Sequence, residues 1–137
     1  MIKNYIYPPT GEFKIRVDNV GNGNYGALCR RPNGTTYTNK GVDFECTPGS
    51  HVYAPIPGKI IRVVVPYAFD KRFKGIVISN SVMRLKLFYM EPIVDIGTKV
   101  ERGSVIGVCQ DISLKYGADC KPHIHMEMED VSPMLFM

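Results

Sequence analysis

Two histidines one residue apart, His123 and His125, stand in the segment KPHIHMEME of this 137-residue sequence. Alternate residues of a β-strand project to the same face of the sheet, so the two imidazoles would lie side by side. Glu127 follows on that face with the same spacing. Imidazole nitrogens and carboxylate oxygens are ligands that proteins offer to zinc. The segment therefore predicts half of a zinc site, which needs partners from elsewhere in the chain.

A second segment, YTNKGVDFEC, offers one such partner. Asp43 would stand at the start of a strand, and Gly41 lets another part of the backbone approach closely. Asn39 lies four residues before Asp43, at a position where a histidine would complete the set of ligands. An amide oxygen is a poor replacement for imidazole at zinc. We therefore expect this site to bind zinc weakly or not at all.

The elements that position these residues are predicted to be β-strands almost throughout. Ten prolines and thirteen glycines interrupt the sequence every few residues, which leaves little room for helices. Alternating or β-branched runs predict a strand over Ile60–Val65, a hairpin that turns near residues 80–82, and a strand over HIHMEME. One helical turn is predicted at ISLKYGA. Short strands with regular turn signals indicate an all-β fold, a compact antiparallel sheet or barrel-sandwich.

Length and composition favour one globular domain. A chain of 137 residues with 45% hydrophobic residues can bury a core without metal or disulfides. We assign residues 1–12 to an N-terminal extension and residues 13–137 to the domain. The net charge of +4 is scattered, and we find no nucleic-acid motif. No apolar run approaches the ~20 residues that a membrane span needs.

Four cysteines and a glycosylation sequon point to an oxidising, extracellular location. An even number of cysteines without a CxxC pair fits disulfides, and three pairings are possible. We favour Cys29–Cys46 and Cys109–Cys120, because each pair closes a short loop. Asn33 begins the sequon NGT. The first residues contain no apolar signal segment, so secretion requires that a signal peptide has been removed.

Several segments taken together resemble the LytM/lysostaphin-type zinc endopeptidases, and more closely their secreted, chemotaxin-like animal branch. The resemblance runs from about residue 13 to residue 136. The segments that carry it, in order, are GNGNYGALCRRPN, NKGVDFEC, GSHVYAPIPGKI, LKLFYMEP, GTKVERGSVIGV and HIHMEM.

The resemblance implies a role for each position of the predicted site. In the peptidases, a histidine four residues before an aspartate, that aspartate and the second histidine of HxH bind zinc. These positions correspond to Asn39, Asp43 and His125. The first histidine of HxH, here His123, assists catalysis, and a further catalytic histidine corresponds to Tyr89. A tyrosine, with a pKa near 10, is a poor proton shuttle at neutral pH.

Asn39 and Tyr89 stand where the peptidases have histidines, and two functions from different classes are compatible with this change. The first is a secreted, non-enzymatic, chemotaxin-like binding or signalling domain on a peptidase scaffold. Its partner would be a cell-surface receptor or glycan, or a peptide in the former substrate groove. The second is a zinc endopeptidase that cleaves glycine-rich or peptidoglycan cross-bridge peptides through a remodelled site of Asp43, His123 and His125. A vestigial site in a structural protein, or an introduced change at Asn39, also fits the sequence.

The third histidine, His51, is expected to be exposed to solvent.

Overall fold

The computed structural model describes most of the chain. It covers residues 6–18, 21, 23–26, 28–30, 36–38 and 40–131, with the backbone alone at residues 28–30, 36–38, 130 and 131. The predicted sites at Asn33 and Asn39 lie outside these residues, as does the side chain of Cys29.

In the part of the chain that the structure describes, eleven strands and one short helix follow one another. They are β1 (Leu28–Arg30), β2 (Thr36–Thr38), β3 (Val42–Glu45), β4 (His51–Tyr53), β5 (Gly58–Val64), β6 (Gly75–Ser79), β7 (Met83–Phe88), β8 (Met90–Pro92), β9 (Lys99–Val100), β10 (Val105–Cys109), α1 (Ser113–Tyr116) and β11 (His123–Val131). The strand periodicity, the hairpin and the single helical turn predicted from the sequence are present. No helix in the described ranges is long and apolar enough to cross a membrane.

A six-stranded antiparallel sheet carries most of the core. Its strand order is β3-β11-β7-β6-β5-β9, which places β11 between β3 and β7. The predicted hairpin joins β6 and β7, and Asn80 stabilises its turn by accepting hydrogen bonds from the N–H groups of Val82 and Met83. Along β7 buried and half-buried residues alternate, as a strand with one face on the core requires.

A three-stranded sheet, in the order β4-β10-β8, shares a core with the larger sheet. Val52 and Ile106 come from the smaller sheet, and Ile78, Leu85 and Ile124 from the larger one; all are fully or almost fully buried. A separate pair, β1-β2, lies outside both sheets. The all-β class predicted from the sequence is therefore confirmed.

The described residues before position 13, which begin at Ile6, pack against the domain. Ile6 is 7% exposed and belongs to the main core. The N–H of Tyr7 donates to the carbonyl of Pro55, and the N–H of Tyr53 donates to the carbonyl of Pro9, both at 2.8 Å. Residues 7–9 thus run along the end of β4. The predicted boundary after residue 12 stays a prediction.

Candidate functional site

The pairing of β3 with β11 brings the predicted site residues together. The register sets His125 opposite Asp43 and His123 opposite Glu45. Nδ1 of His125 lies 2.7 Å from Oδ1 of Asp43. On the same face of β11, Nε2 of His125 lies 3.2 Å from Oε1 of Glu127. The spacing that singled out these residues in the sequence therefore corresponds to one cluster in space.

Gly41 permits this close approach of β3 to β11. A Cβ atom at Gly41 would lie 2.3 Å from the carbonyl oxygen of Met126 and 2.9 Å from Nε2 of His125. Both distances are far below a van der Waals contact, so any side chain would push the strands apart. The close backbone approach predicted at Gly41 is thus present in the structure.

Arg16 is a member of the site that the sequence did not reveal. Its side chain is 1% exposed and donates to Oδ2 of Asp43 from Nε at 3.2 Å and from Nη2 at 3.1 Å. Its Nη1 donates to Oδ1 of Asp18 at 2.7 Å. The backbone holds the segment in place, because Arg16 N–H donates to the Asp43 carbonyl and Asp43 N–H donates to the Gly23 carbonyl. No motif marks Arg16 in the segment KIRVD.

The opposite charges of Arg16 and Asp43 stabilise each other, so both side chains stay ionised. Burial alone would raise the pKa of Asp43, but the hydrogen bond from His125 and the charges of His123, His125 and Arg16 lower it below its usual value. Burial opposes the charge of Arg16 too, yet its hydrogen bond to Asp18 and the charge of Asp43 raise its pKa further. The negative charge of Asp43 is therefore balanced by a cation of the same chain.

The surroundings of the two histidines shift their pKa values in opposite directions. His123 Nδ1 lies 2.8 Å from the carbonyl oxygen of Lys121, which can only accept, so Nδ1 carries the hydrogen. In the neutral ring Nε2 is then without hydrogen, and it lies 3.7 Å from Oδ2 of Asp43. Burial lowers the pKa of His123. Burial also acts against charge on His125, but Asp43 and Glu127 outweigh it and raise the pKa of that residue.

The described side chains do not fit a complete zinc site. Two donors on a tetrahedral zinc at 2.0–2.1 Å stand about 3.3 Å apart, whereas His125 Nδ1 and Asp43 Oδ1 are in direct contact at 2.7 Å. Arg16 holds the other oxygen of Asp43. Among the residues described, no group of three or more His, Cys, Asp or Glu side chains is arranged to hold a metal ion. A catalytic zinc normally takes three ligands from the protein.

Tyr89 lies beside His123 in an unusual backbone conformation. It falls between β7 and β8 with φ of 75°. A left-handed conformation is unfavourable for a residue with a side chain, and the N–H of Tyr89 is held by the carbonyl of Lys74 at 2.8 Å. The Tyr89 ring meets the His123 ring edge-on, with centroids 5.2 Å apart. The left-handed backbone at Tyr89 thus turns its side chain towards the site.

The hydroxyl of Tyr89 is one end of a chain of hydrogen-bonded tyrosine hydroxyls. Tyr67 lies 2.8 Å from Tyr89 and 2.6 Å from Tyr116, measured between hydroxyl oxygens. Lys115 Nζ stands 4.4 Å from the centre of the Tyr67 ring. Burial and the neighbouring hydroxyls raise the pKa of Tyr67 above its usual value. The chain is therefore protonated at neutral pH. The sequence did not indicate it, since its members are far apart along the chain.

The predicted disulfides are not formed. Cys46, Cys109 and Cys120 are all in the thiol form, so neither Cys29–Cys46 nor Cys109–Cys120 is bridged. Cys120 packs in a minor cluster with Phe73 and Ile112, whereas Cys109 belongs to the main core beside Cys46. Short loop length was a poor guide because the packing of the two sheets decides which sulfurs meet.

His51 lies apart from this cluster on β4 of the smaller sheet. Its side chain is exposed, as expected. Its nearest aromatic contact is the ring of Tyr53, at 6.3 Å between centroids.

Comparison with known proteins agrees with this fold and arrangement. The family model for peptidase family M23 matches residues 37–134. Leukocyte cell-derived chemotaxin-2 from Bos taurus is 35% identical over 94 residues, covering 68% of this chain and 61% of the bovine protein. The Mus musculus protein of the same name is 33% identical over 116 residues, covering 84% of this chain and 72% of its own. The match thus spans about three fifths of the bovine relative.

Solved structures show the same fold. A zinc-containing peptidase from Vibrio cholerae is 29% identical, with a TM-score of 0.57 over 83% of this chain and 33% of its own. The catalytic domain of lysostaphin from Staphylococcus simulans is 23% identical, with a TM-score of 0.55 over 98% of this chain and 93% of its own. The resemblance seen in the sequence motifs is confirmed.

Proposed function

This chain belongs to peptidase family M23, and we propose that it uses the zinc-endopeptidase scaffold for binding or signalling rather than for catalysis. The observation that carries the proposal is the state of Asp43. His125 contacts one of its carboxylate oxygens and Arg16 holds the other. Hydrolysis by a metallopeptidase needs a metal with an open position for water. A carboxylate whose charge is balanced inside the chain is a weakened ligand for such a metal.

Tyr89 supports the same proposal. It stands where the resemblance places a catalytic histidine, and its hydroxyl is hydrogen-bonded to Tyr67. General acid–base catalysis by one group contributes about 10²–10⁴ in rate, and a tyrosine, a residue type with a pKa near 10, is a poor proton shuttle at neutral pH. The loss of a proton shuttle and of a metal ligand on one scaffold favours a non-enzymatic role.

We further propose that the protein is secreted and acts on a cell-surface receptor or glycan. The name of the bovine and mouse relatives, chemotaxin, supports a signalling role. The cysteine content and the sequon at Asn33 support an extracellular location. The surface over β3 and β11, which corresponds to the substrate groove of the peptidases, is the proposed contact face.

An active peptidase with a remodelled site is the second candidate. One observation favours it: His123 turns its hydrogen-free Nε2 towards Asp43, at 3.7 Å from Oδ2. A ligand set of Asp43, His123 and His125 would then replace the family's set. Such a set would use the histidine that otherwise assists catalysis.

A cleavage assay separates the two candidates. The protein is incubated with equimolar zinc and with pentaglycine and peptidoglycan cross-bridge peptides, and the products are followed by mass spectrometry. We expect no cleavage, with the lysostaphin catalytic domain as the positive control. Zinc-dependent cleavage that disappears in His125→Ala would contradict the proposal and establish the second candidate.

A further inference from the structure

Two thiols outside the candidate site lie together where the two sheets meet. Cys46 follows the end of β3 in the larger sheet, and Cys109 ends β10 in the smaller sheet. Cys109 is 4% exposed within the main core, and the half-buried Cys46 packs against that core. Each thiol is the neighbour that shifts the pKa of the other most strongly, which places the two side chains close together. The contact joins two elements that are otherwise distant along the chain.

Backbone hydrogen bonds fix the position of Cys109 relative to Cys46. The N–H of Cys109 donates to the carbonyl of Ser50 at 2.8 Å, and the N–H of Gly49 donates to the carbonyl of Cys109 at 2.9 Å. Ser50 N–H donates to the carbonyl of Thr47 at 3.0 Å, which closes the tight turn directly after Cys46. These main-chain hydrogen bonds hold the backbone of Cys109 against the turn that follows Cys46.

The environment also favours thiolate chemistry at this pair. The hydrogen bond from Cys46 lowers the pKa of Cys109 to about 7, although burial acts in the opposite direction. The hydroxyl oxygen of Ser50, 3.4 Å from Cys109 Sγ, helps to stabilise the thiolate. The same hydrogen bond and burial raise the pKa of Cys46. A thiolate is the nucleophile in thiol–disulfide exchange.

We propose that Cys46 and Cys109 form an intramolecular disulfide when the folded chain meets a disulfide oxidant such as glutathione disulfide or a thiol–disulfide oxidoreductase. The Cys109 thiolate attacks one sulfur of the oxidant's disulfide. That sulfur–sulfur bond breaks, one oxidant thiolate leaves and takes the proton of Cys46, and Cys109 carries a mixed disulfide. The Cys46 thiolate then attacks Cys109 Sγ and releases the second oxidant thiolate, which takes a proton from solvent. In total the two thiols lose two protons and two electrons, which reduce the oxidant to two thiols.

The disulfide would join the two sheets at Cys46, which follows Asp43 by three residues in the sequence. Its closed loop contains residues 47–108, and in the chain-entropy model a loop of this length restricts the unfolded chain strongly. The pairing differs from both pairings expected from loop length. It does not depend on whether the protein is an enzyme, so its test is independent of the proposed function.

Peptide mapping tests the pairing directly. The native protein is oxidised with glutathione disulfide, the remaining thiols are alkylated after denaturation, and the chain is digested with trypsin without reductant. Cleavage at Lys115 separates Cys109 from Cys120. We expect one cross-linked species of peptides 41–59 and 103–115, lighter by two hydrogen atoms than its parts, and an alkylated Cys120. The control variant Cys120→Ala should keep this species, and Cys46→Ala should lose it.

Other outcomes would overturn the proposal. They are a cross-link that joins Cys29 or Cys120 to either residue, full alkylation of Cys46 and Cys109 after oxidation, and a glutathione adduct on Cys109 that Cys46 does not resolve. Thermal unfolding gives a second readout on the unaltered chain. Oxidation should raise the Tm by roughly 10 °C, and Cys46→Ala or Cys109→Ala should abolish the rise. An unchanged Tm in the cross-linked protein would show that the bond does not belong to the native fold.

Discussion

Arg16 and Asp43 form a buried ion pair, with 1% and 5% of their side chains exposed. Removing two charges from water is unfavourable, and the pair is retained only because hydrogen bonds satisfy it. The motif GVD made Asp43 predictable from the sequence. Arg16 was not predictable, because its role depends on a segment that crosses β3 from 27 residues away. Sequence periodicity carries no information on such a contact.

Replacing Arg16 by methionine should destabilise the fold strongly. The change leaves Asp43 buried without its cation, and breaking a buried pair in this way costs about 3–5 kcal/mol. Urea unfolding measures the loss. Arg62→Met is the matched control, since the Arg62 side chain is 49% exposed in its pair with Glu129 and exposed pairs are worth about 0–1 kcal/mol. Equal losses in the two variants would show that the buried pair has no special weight.

At the scale of elements, the strands were predictable and their partners were not. Period-two patterns are local, so they identified β7 and β11 and the face on which His123, His125 and Glu127 lie. The register that sets His125 opposite Asp43 arises from the pairing of strands about 80 residues apart. The kink at Tyr89 is also invisible in the pattern, because its left-handed backbone is imposed by the carbonyl of Lys74.

Gly41→Ala tests whether the close approach of β3 and β11 builds the site. The new methyl group would meet the carbonyl of Met126, a backbone atom that cannot rotate away. We expect a loss of about 3 kcal/mol and a changed NMR signal for the His125 ring. Gly97→Ala is the control: Gly97 has φ of 94° but open space around it, so only backbone strain of about 1 kcal/mol applies. An unchanged His125 signal in Gly41→Ala would contradict the assigned contact.

At the scale of the molecule, two sheets share one core, while β3 and β11 of the larger sheet carry the candidate site. The all-β class followed from the spacing of glycines, prolines and short apolar runs. The cysteine pairing did not, because Cys46 and Cys109 meet only when the two sheets have packed. We predict that the zinc affinity of the domain depends on Asn39, which lies outside the described residues.

Zinc should stabilise an Asn39→His variant more than the parent protein. A ligand that binds only the folded state adds about 2.7 kcal/mol at a hundred times its Kd, so a restored ligand should give a larger zinc-dependent rise in Tm. Thermal unfolding with and without zinc measures both proteins. The double variant Asn39→His/His125→Ala should show no such rise. Equal shifts in parent and Asn39→His would mean that residue 39 is not a ligand position.

The central place of β11 has a consequence for how the protein is made. β11 is the last described strand in chain order, yet it separates β3 from β7. During synthesis from the N-terminus, both neighbours leave the ribosome with unpaired edges, which are prone to associate with other chains. The histidines arrive on the same strand that closes this gap. Completion of the sheet and assembly of the site therefore happen together, after every other described strand has been synthesised.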